Sequence, residues 1–178
     1  MRIRNYRQED LAAVVQIECQ AREVDGRERL DEAEFTNWLL SSSLNAADNV
    51  FVITNDDDEL RGWGHAETLE GIEGEIVGYT SVQVHGDERA FHMLCQGAVS
   101  PPYRKMHAGR ALLISALNRA RILEFDVDFE AEQAGLPIYF EALLPVRDPL
   151  SAKLAARCGM QPVDEPAPSG LRLYRCEL

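Results

Sequence analysis

The chain has 178 residues, of which 18 are basic and 30 acidic, giving a formal net charge of −12. This length is sufficient for one well-packed core, and we expect residues 1–178 to form a single domain. Nucleic acids and anionic membranes bind basic surfaces, so the acidic composition argues against both as partners and leaves a homodimer open. The sequence has no apolar run near the ~20 residues of a membrane span and no apolar signal core, so we expect a cytoplasmic protein.

The four cysteines predict reduced thiols rather than a metal site. Cys19, Cys95, Cys158 and Cys176 form no C-x-x-C pair, and no cluster of cysteine and histidine has the spacing of metal ligands. We therefore expect no bound metal.

The first half of the chain predicts two helices between short strands. Apolar residues recur at helical spacing, and VFVIT is a continuous apolar run typical of a buried strand. The predicted elements are a strand at Ile3–Arg7, helices at Glu9–Val24 and Asp31–Leu40, a polar loop at Ser41–Asn49 and a strand at Val50–Thr54.

A glycine-punctuated stretch follows and predicts antiparallel strands. We place strands at Leu60–Leu69, Glu75–His85 and Ala90–Val99. An amphipathic helix then runs from Gly109 to about Leu123, and the acidic segment Glu124–Gly135 either extends it or forms a loop.

The remaining elements are a strand, a helix and two short strands. PIYFEALL at Pro137–Leu144 is a buried strand. Asp148 and Pro149 are typical of a helix start, and Gly159 of a helix end. Val163 and Leu171–Cys176 predict the final strands.

The segment from Phe91 to Leu117 has the order of an anion-binding site. A strand ends near Val99, Pro101 and Pro102 break it, and a basic turn leads through Gly109 into a helix. The first amides of a helix lack partners within the helix, and its dipole favours negative charge there. Arg104, Lys105 and Arg110 add positive charge, so a phosphate-bearing cofactor is expected.

This segment also resembles a known family. VSPPYRKMHAGRALL, from Val99 to Leu113, is similar to the acyl-CoA-binding motif of the GNAT superfamily of N-acetyltransferases, roughly V-x-P-x-Y-[RQ]-x-x-G-x-[GA]-[RKST]-x-L-L, and departs from it at His107, where the family has glycine. A second family motif resembles the segment from Asp148 to Met160, except that Ala155 stands where many members have tyrosine.

The resemblance implies an α/β (α+β) fold: a mixed, mostly antiparallel central sheet of six to seven strands flanked by about four helices. It also implies transfer of an acetyl group from acetyl-CoA, as co-substrate, to a primary amine of a small molecule or peptide by direct attack in a ternary complex. The alternative is a non-catalytic or degenerate acyl-CoA-binding domain, a sensor or one half of a tandem protein. A dinucleotide-binding oxidoreductase is poorly supported, because G-x-G-x-x-G is absent from the sequence.

The family's cofactor-binding positions can be carried over residue by residue. Gly97, Ala98 and Val99 would hold the pantetheine arm by strand addition, although Gly97 could instead mark a bulge. Backbone amides of the turn would hold the pyrophosphate, and His107 could offer a side-chain donor instead of the close backbone approach that glycine allows. The implied turn residues are Arg104, Lys105, Met106, His107, Ala108, Gly109 and Arg110.

Two residues are candidates for the general base. Met93 stands where some family members carry a catalytic glutamate. Its neighbour His92 could serve, directly or through water, if the strand is locally bulged, because alternation otherwise turns it to the opposite face. Glu141 is a carboxylate within an apolar strand, where burial would raise its pKa. The alternatives are a core histidine and a structural ion-pair partner. For the general acid, Ala155 removes the usual tyrosine, leaving Cys158, Tyr139 and Tyr174 as substitutes.

The acidic chain would favour a cationic amine as acceptor through electrostatic steering. The acidic residues that could contact such a cation lie near the end of the first helix and before the second: Glu23, Asp25, Glu28, Asp31 and Glu32.

Overall fold

A computed structural model describes residues 1–56 and 74–178 of the chain. Within this part, seven strands form one sheet: β1 (Arg2–Asn5), β2 (Val50–Asn55), β3 (Glu75–Gly86), β4 (Phe91–Val99), β5 (Ile138–Pro145), β6 (Gln161–Pro162) and β7 (Leu171–Glu177). The helices are α1 (Leu11–Asp25), α2 (Glu32–Leu39), α3 (Ala46–Asn49), α4 (Ala108–Ala134) and α5 (Ser151–Arg157). The predicted strand at Leu60–Leu69 lies outside the described residues.

The strand order is β1-β2-β3-β4-β5-β7-β6. Every neighbouring pair is antiparallel except β4 and β5, which run parallel. The connection between these two parallel strands is the long helix α4, as a parallel crossover requires. The predicted mixed, mostly antiparallel sheet is therefore confirmed, with five helices in the described part rather than about four.

The two faces of the sheet carry separate cores. On one face α4 packs against alternate residues of the central strands, including Met93, Cys95 and Phe140, all nearly or fully buried. On the other face α1 and α2 cover the N-terminal half of the sheet, around Val52 and Tyr79. Because side chains alternate along a strand, His92 and Met93 point to opposite faces.

Three segments differ from the sequence prediction. The polar loop before β2 contains the short helix α3, whose buried Asn49 donates a hydrogen bond to the carbonyl of Leu44 at 2.7 Å. The acidic segment extends α4 to Ala134, where Gly135 ends the helix at a φ of 65°. Helix α5 begins at Ser151, two residues beyond Pro149, because Asp148 accepts the Leu150 amide at 2.9 Å and thereby holds a turn before the helix. Packing and local polar contacts, rather than periodicity, set these boundaries.

No helix in residues 1–56 or 74–178 is both long enough and apolar enough to cross a membrane.

Candidate functional site

The parallel strands β4 and β5 separate at one end. Their pairing begins at Phe91 with Ile138 and stops at Cys95 with Ala142, although both strands continue beyond that point. The last residues of β4, from Gln96 to Val99, therefore pair with β3 on one side only. Their other edge offers main-chain groups that a bound molecule can use as an added strand.

A cavity of about 360 Å³ lies in this gap. Its walls come from β3, the ends of β4 and β5, the first turn of α4, and α5. Most of the predicted cofactor residues line it: Gly97, Ala98, Val99, Arg104, Lys105, His107, Gly109 and Arg110. The other two do not: Met106 points to solvent at 49% exposure, and Ala108 is buried in the core.

The β3–β4 ladder excludes a bulge at Gly97. Its register is unbroken from Gly78 opposite Val99 to Gly86 opposite Phe91. Gly97 is needed for a different reason, because a Cβ there would overlap the carbonyl of Tyr79 and the backbone of Thr80. The bulge considered for Gly97, and the bulge that would have turned His92 to the Met93 face, are therefore both wrong.

The turn before α4 is built on left-handed backbone at residues other than glycine. Lys105 has a φ of 67° and His107 a φ of 68°. Such conformations are uncommon for side chains with a Cβ and cost about 1–3 kcal/mol when the surroundings impose them. His107 thus adopts the backbone conformation that the family's glycine favours, with its side chain exposed to solvent.

The N-terminus of α4 opens into the cavity. The first bond of the helix joins the Ala111 amide to the His107 carbonyl at 3.0 Å, so the amides of Ala108, Gly109 and Arg110 precede the helical ladder. A Cβ added to Gly109 would make only ordinary contacts, with Val99 at 3.8 Å and Leu154 at 3.9 Å. The surrounding protein therefore does not require glycine at this position, and its absent side chain leaves room beside the free amides.

Arg104 forms an ion pair with a buried carboxylate. Its two terminal nitrogens donate to Asp25 at 2.6 and 3.0 Å, and its Nε donates to the carbonyl of Val99 at 3.2 Å. Asp25 is the last residue of α1 and is 2% exposed. The guanidinium therefore ties α1 to the turn instead of supplying mobile charge to a phosphate. Asp25 is likewise not available to an acceptor cation, and Asp31 caps α2 by accepting the amides of Ala33 and Glu34.

Among the residues that the structure describes, four exposed cations line the cavity: Lys105, Arg110, Lys153 and Arg157. Lys153 and Arg157 were not among the predicted site residues. They are four positions apart on α5, which places them on one helix face, and this spacing was the available signal. A local basic rim on a chain of net charge −12 concentrates anions at this cavity.

The two predicted catalytic residues are neighbours in the structure. The Nδ1 atom of His92 lies 3.1 Å from Oε1 of Glu141, without the alignment of a hydrogen bond. Glu141 is 5% exposed and accepts the Nε of Arg175 at 2.6 Å. Arg175 also contacts Glu165 at 2.9 Å. Burial alone would lower the pKa of Arg175, but its hydrogen bonds to Glu165 and Glu141 outweigh burial and raise it.

This cluster lies beside the cavity rather than in it. Neither His92 nor Glu141 lines the cavity, and both point to the face opposite α4. Glu141 pairs with Leu94, one position before β4 and β5 separate. His92 is four residues before Gln96, a distance of about 13 Å along a strand. Tyr79 is the only tyrosine among the described residues that line the cavity, and its hydroxyl donates to Glu18 at 2.9 Å.

Cys95 is the cavity's thiol. It is buried and lies 3.3 Å from the hydroxyl of Thr80. Burial raises the pKa of Cys95 to about 11, so it is a protonated thiol at neutral pH. Cys158 on the adjoining segment also has a raised pKa because of burial. Within the described residues, no group of three or more potential metal ligands is present.

Comparison by sequence identifies one family. The profile of the acetyltransferase (GNAT) family matches residues 11–134, a segment that extends from α1 to the end of α4. Among curated proteins, none matches the sequence.

Comparison by structure finds the same fold over nearly the whole chain. The yncA protein of Salmonella typhimurium, solved with its cofactor acetyl-CoA, has a TM-score of 0.60 at 18% identity, with 99% of this chain and 92% of that chain covered. A ribosomal-protein-alanine N-acetyltransferase from Brucella melitensis has a TM-score of 0.61 at 16% identity, with both chains fully covered. The ribosomal-protein-S18-alanine N-acetyltransferase of Escherichia coli has a TM-score of 0.54 at 18% identity, with 99% and 92% covered.

Proposed function

Because the chain belongs to the acetyltransferase (GNAT) family, we propose that it transfers an acetyl group from acetyl-CoA to a primary amine of a small molecule or peptide. The observation that carries this proposal is one continuous path, from the free edge of β4 through the left-handed turn to the open N-terminus of α4. A thioester of coenzyme A carries an activated acyl group at one end of a long pantetheine arm and phosphates at the other. The free edge of β4 suits the arm, and the open N-terminus of α4 suits the phosphates.

The main chain of this protein would bind most of the cofactor. Gly97 to Val99 offer strand-like groups for the pantetheine arm, and the amides of Ala108 to Arg110 offer donors for the pyrophosphate. Lys105, Arg110, Lys153 and Arg157 would compensate its negative charge. The space at Gly109 fits such a ligand, because a side chain there would fill the cradle without touching the protein closely.

The chemistry of Cys95 favours direct attack by the amine. An acyl-cysteine intermediate requires a thiolate, whereas Cys95 stays protonated at neutral pH. The acceptor amine would instead attack the thioester in a ternary complex, and main-chain donors at the end of β4 would stabilise the oxyanion.

His92 is the group that we propose as general base, with Glu141 as the residue that positions it. Glu141 is already bound by Arg175, so its role is to orient the imidazole 3.1 Å away. Because β4 has no bulge, His92 acts from the face opposite Met93, about 13 Å along the strand from Gln96. It would therefore receive the amine proton along a chain of several water molecules rather than directly.

The second candidate function is acyl-CoA binding without catalysis. One observation favours it: the position of the family's usual tyrosine acid is Ala155, which is fully buried, and among the described cavity residues no tyrosine hydroxyl is free to replace it. A protein of this kind would hold the cofactor as a sensor or as one half of a tandem protein.

Calorimetric titration with acetyl-CoA, followed by thiol release from acetyl-CoA with a panel of amines, separates the two functions. Binding with turnover on a cationic amine is the expected result. Binding without turnover on any amine would support the second function, and absence of binding would overturn both.

The same assay tests the base. His92→Asn should lower kcat by about 10²-fold or more and remove the rise of kcat/KM with pH on the acidic side of the profile, while the affinity for acetyl-CoA stays unchanged. An unchanged pH profile in this variant would exclude His92 as the base. Glu141→Gln should shift the same profile rather than abolish it.

A further inference from the structure

Helix α4 exposes a stripe of large apolar side chains. Four residues, which we call the α4 stripe, are exposed on its surface: Ile114 at 39%, Ile122 at 55%, Phe125 at 81% and Phe129 at 70%. Single exposed apolar residues are ordinary, but a contiguous apolar patch marks an interaction surface. Phe125 and Phe129, one helical turn apart, are the two most exposed of the four.

The spacing places the stripe on one side of the helix. Its members are separated by eight, three and four positions, which are spacings that return to the same helix face. The opposite face packs on the sheet through Leu112, Ala116 and Ala120, all at most 3% exposed. The stripe therefore points away from its own core, and the core cannot bury it.

The charges of α4 are divided between its two halves. Residues 108–123 contain three arginines, Arg110, Arg119 and Arg121, and no acidic residue. Arg119 donates its Nε to Asn49 at 2.8 Å, whereas Arg110 and Arg121 are exposed. Residues 124–134 contain five acidic residues, Glu124, Asp126, Asp128, Glu130 and Glu132, and no basic residue. This distribution opposes the helix dipole, which favours acidic residues at the N-terminus and basic residues at the C-terminus by about 0.3–1 kcal/mol each.

We propose that a second copy of this chain covers the stripe, with the two α4 helices antiparallel across a two-fold axis. The antiparallel arrangement places the arginine half of each helix beside the acidic half of the other, whereas a parallel arrangement would bring like charges together. Pairing about the helix centre brings Ile114 of one copy opposite Phe129 of the other and Phe125 opposite Asn118, so the partner helix covers both phenylalanines. The same charges that oppose the helix dipole become complementary in the dimer.

The area is of the right order for a weak to moderate homodimer. At about 150–250 Å² per aromatic side chain, Phe125 and Phe129 alone contribute roughly 300 Å² per copy. A standard interface buries about 800 Å² per partner, and the flanking side chains of a 27-residue helix can supply the remainder. The stripe contains no residue of the cavity. Arg110 of the arginine half does line the cavity, so the variants that test the dimer leave it unchanged and their result is separate from the acetyltransferase proposal.

Sedimentation velocity of the full chain over a range of concentrations tests the dimer. We expect a reversible monomer–dimer equilibrium that the double variant Phe125→Ser/Phe129→Ser weakens at least 10-fold, with an unchanged circular dichroism spectrum. The control Leu40→Ser removes an equally exposed apolar side chain, 52% exposed, outside the stripe and should leave the equilibrium unchanged. A chain that stays monomeric at every soluble concentration, or a dimer that the double variant retains, would overturn the proposal.

A mixing experiment tests the antiparallel orientation. One variant, Asp128→Arg/Glu132→Arg, reverses the two acidic residues that lie on the stripe side of the acidic half. The other, Asn118→Glu/Arg121→Glu, places two acidic residues on the stripe side of the arginine half. Each should be monomeric alone, because its own two-fold pairing opposes like charges, and an equimolar mixture should form a heterodimer. Homodimers of either variant as tight as wild type, or no association in the mixture, would contradict the arrangement.

Discussion

Two positions at the start of α4 carry residue types that do not suit their backbone conformations. His107 occupies the left-handed region that glycine prefers, and Gly109 lies in a helical turn that alanine prefers. Neither choice is explained by packing, since the His107 side chain is exposed and Gly109 has free space around it. The left-handed backbone at 107 and the glycine at 109 are both explained if this turn presents amides to an anion at close range.

Gly109→Ala should therefore have opposite effects on the stability of the fold and on the affinity for acetyl-CoA. The substitution should raise the free energy of unfolding by up to about 1 kcal/mol, because alanine is the better helix former. It should also weaken acetyl-CoA binding by about 10-fold or more, because the new methyl group fills the cradle. Urea denaturation and calorimetry measure the two quantities.

Gly135→Ala is the matched control for that prediction. Gly135 ends the same helix at a φ of 65°, with no atom within 4 Å of an added Cβ. Alanine there should lower stability by about 1 kcal/mol and leave acetyl-CoA binding unchanged. Equal acetyl-CoA affinities of wild type and Gly109→Ala would contradict the cradle.

His107→Gly should bind acetyl-CoA as tightly as wild type or more tightly. Glycine relieves the left-handed backbone of about 1–3 kcal/mol of strain and keeps the amide in place. Met106→Gly is the control, because Met106 has no positive φ and glycine there only loosens the turn. If His107→Gly weakens acetyl-CoA binding, the imidazole itself is a ligand, the alternative that the sequence left open.

At the scale of elements, two buried aspartates fasten α1 at its ends. Asp25, its last residue, holds the turn before α4 through Arg104. Asp10, just before its first residue, accepts both terminal nitrogens of Arg4 on β1 and the amide of Arg7. Helix α1 is thus linked both to the edge of the sheet and to the candidate site.

Asp25→Asn should raise the Kd for acetyl-CoA about 10-fold. The neutral amide of asparagine cannot balance the charge of Arg104. The Arg104 side chain is then held less firmly, and with it the turn and its hydrogen bond to the Val99 carbonyl. Isothermal titration checks the affinity under conditions in which the variant is fully folded. Glu23→Gln, an exposed neutral substitution on the same helix, should have no effect. Equal affinities for wild type and Asp25→Asn would show that Arg104 does not position the turn.

Asp10→Asn should destabilise the fold by about 1–3 kcal/mol at neutral pH. Burial alone would raise the pKa of Asp10, but hydrogen bonds from Arg4 and Arg7 outweigh it, so the folded-state pKa is below the usual value. Its stabilisation is therefore present above the unfolded pKa of about 3.9 and lost as pH falls through the folded pKa.

Urea denaturation of wild type and Asp10→Asn across pH measures this dependence. The stability difference should be constant near neutrality and shrink in acid. The exposed neighbour Glu9, whose side chain is 65% accessible, provides the control Glu9→Gln. A difference that persists below the folded pKa would mean that shape rather than charge accounts for the effect.

At the scale of the whole molecule, a cationic rim lies on an acidic chain. The net charge is −12, yet Lys105, Arg110, Lys153 and Arg157 converge on one cavity from two helices and a turn. This asymmetry would attract an anionic cofactor to the cavity, while the remaining surface would favour a cationic acceptor.

Lys153→Ala/Arg157→Ala should weaken acetyl-CoA binding about 3- to 10-fold, and the loss should shrink as salt increases. Titrations at two ionic strengths measure both effects. Arg89→Ala removes an exposed arginine that does not line the cavity and should change neither. A salt-independent loss would indicate that α5 has moved rather than lost charge.

The sequence alone predicted most of the fold and the position of the turn before α4. Hydrophobic periodicity, buried apolar runs and the motif from Val99 to Leu113 are local signals, because helix faces, strand alternation and helix N-termini are set by neighbouring residues. The elements from β3 to β5 and most of the predicted lining residues followed from them. The local signals do not reveal contacts between residues far apart in the chain.

Only the tertiary structure decided which charges are available and which are paired. It placed Arg104 on Asp25, 79 positions earlier, and Arg175 on Glu141, and it brought Lys153 and Arg157 to the cavity. It also fixed His92 on the face opposite Met93, because the unbroken β3–β4 register allows no bulge. Whether a side chain is free or bound depends on partners that sequence spacing does not reveal, so the turn was predictable while its ion pairs were not.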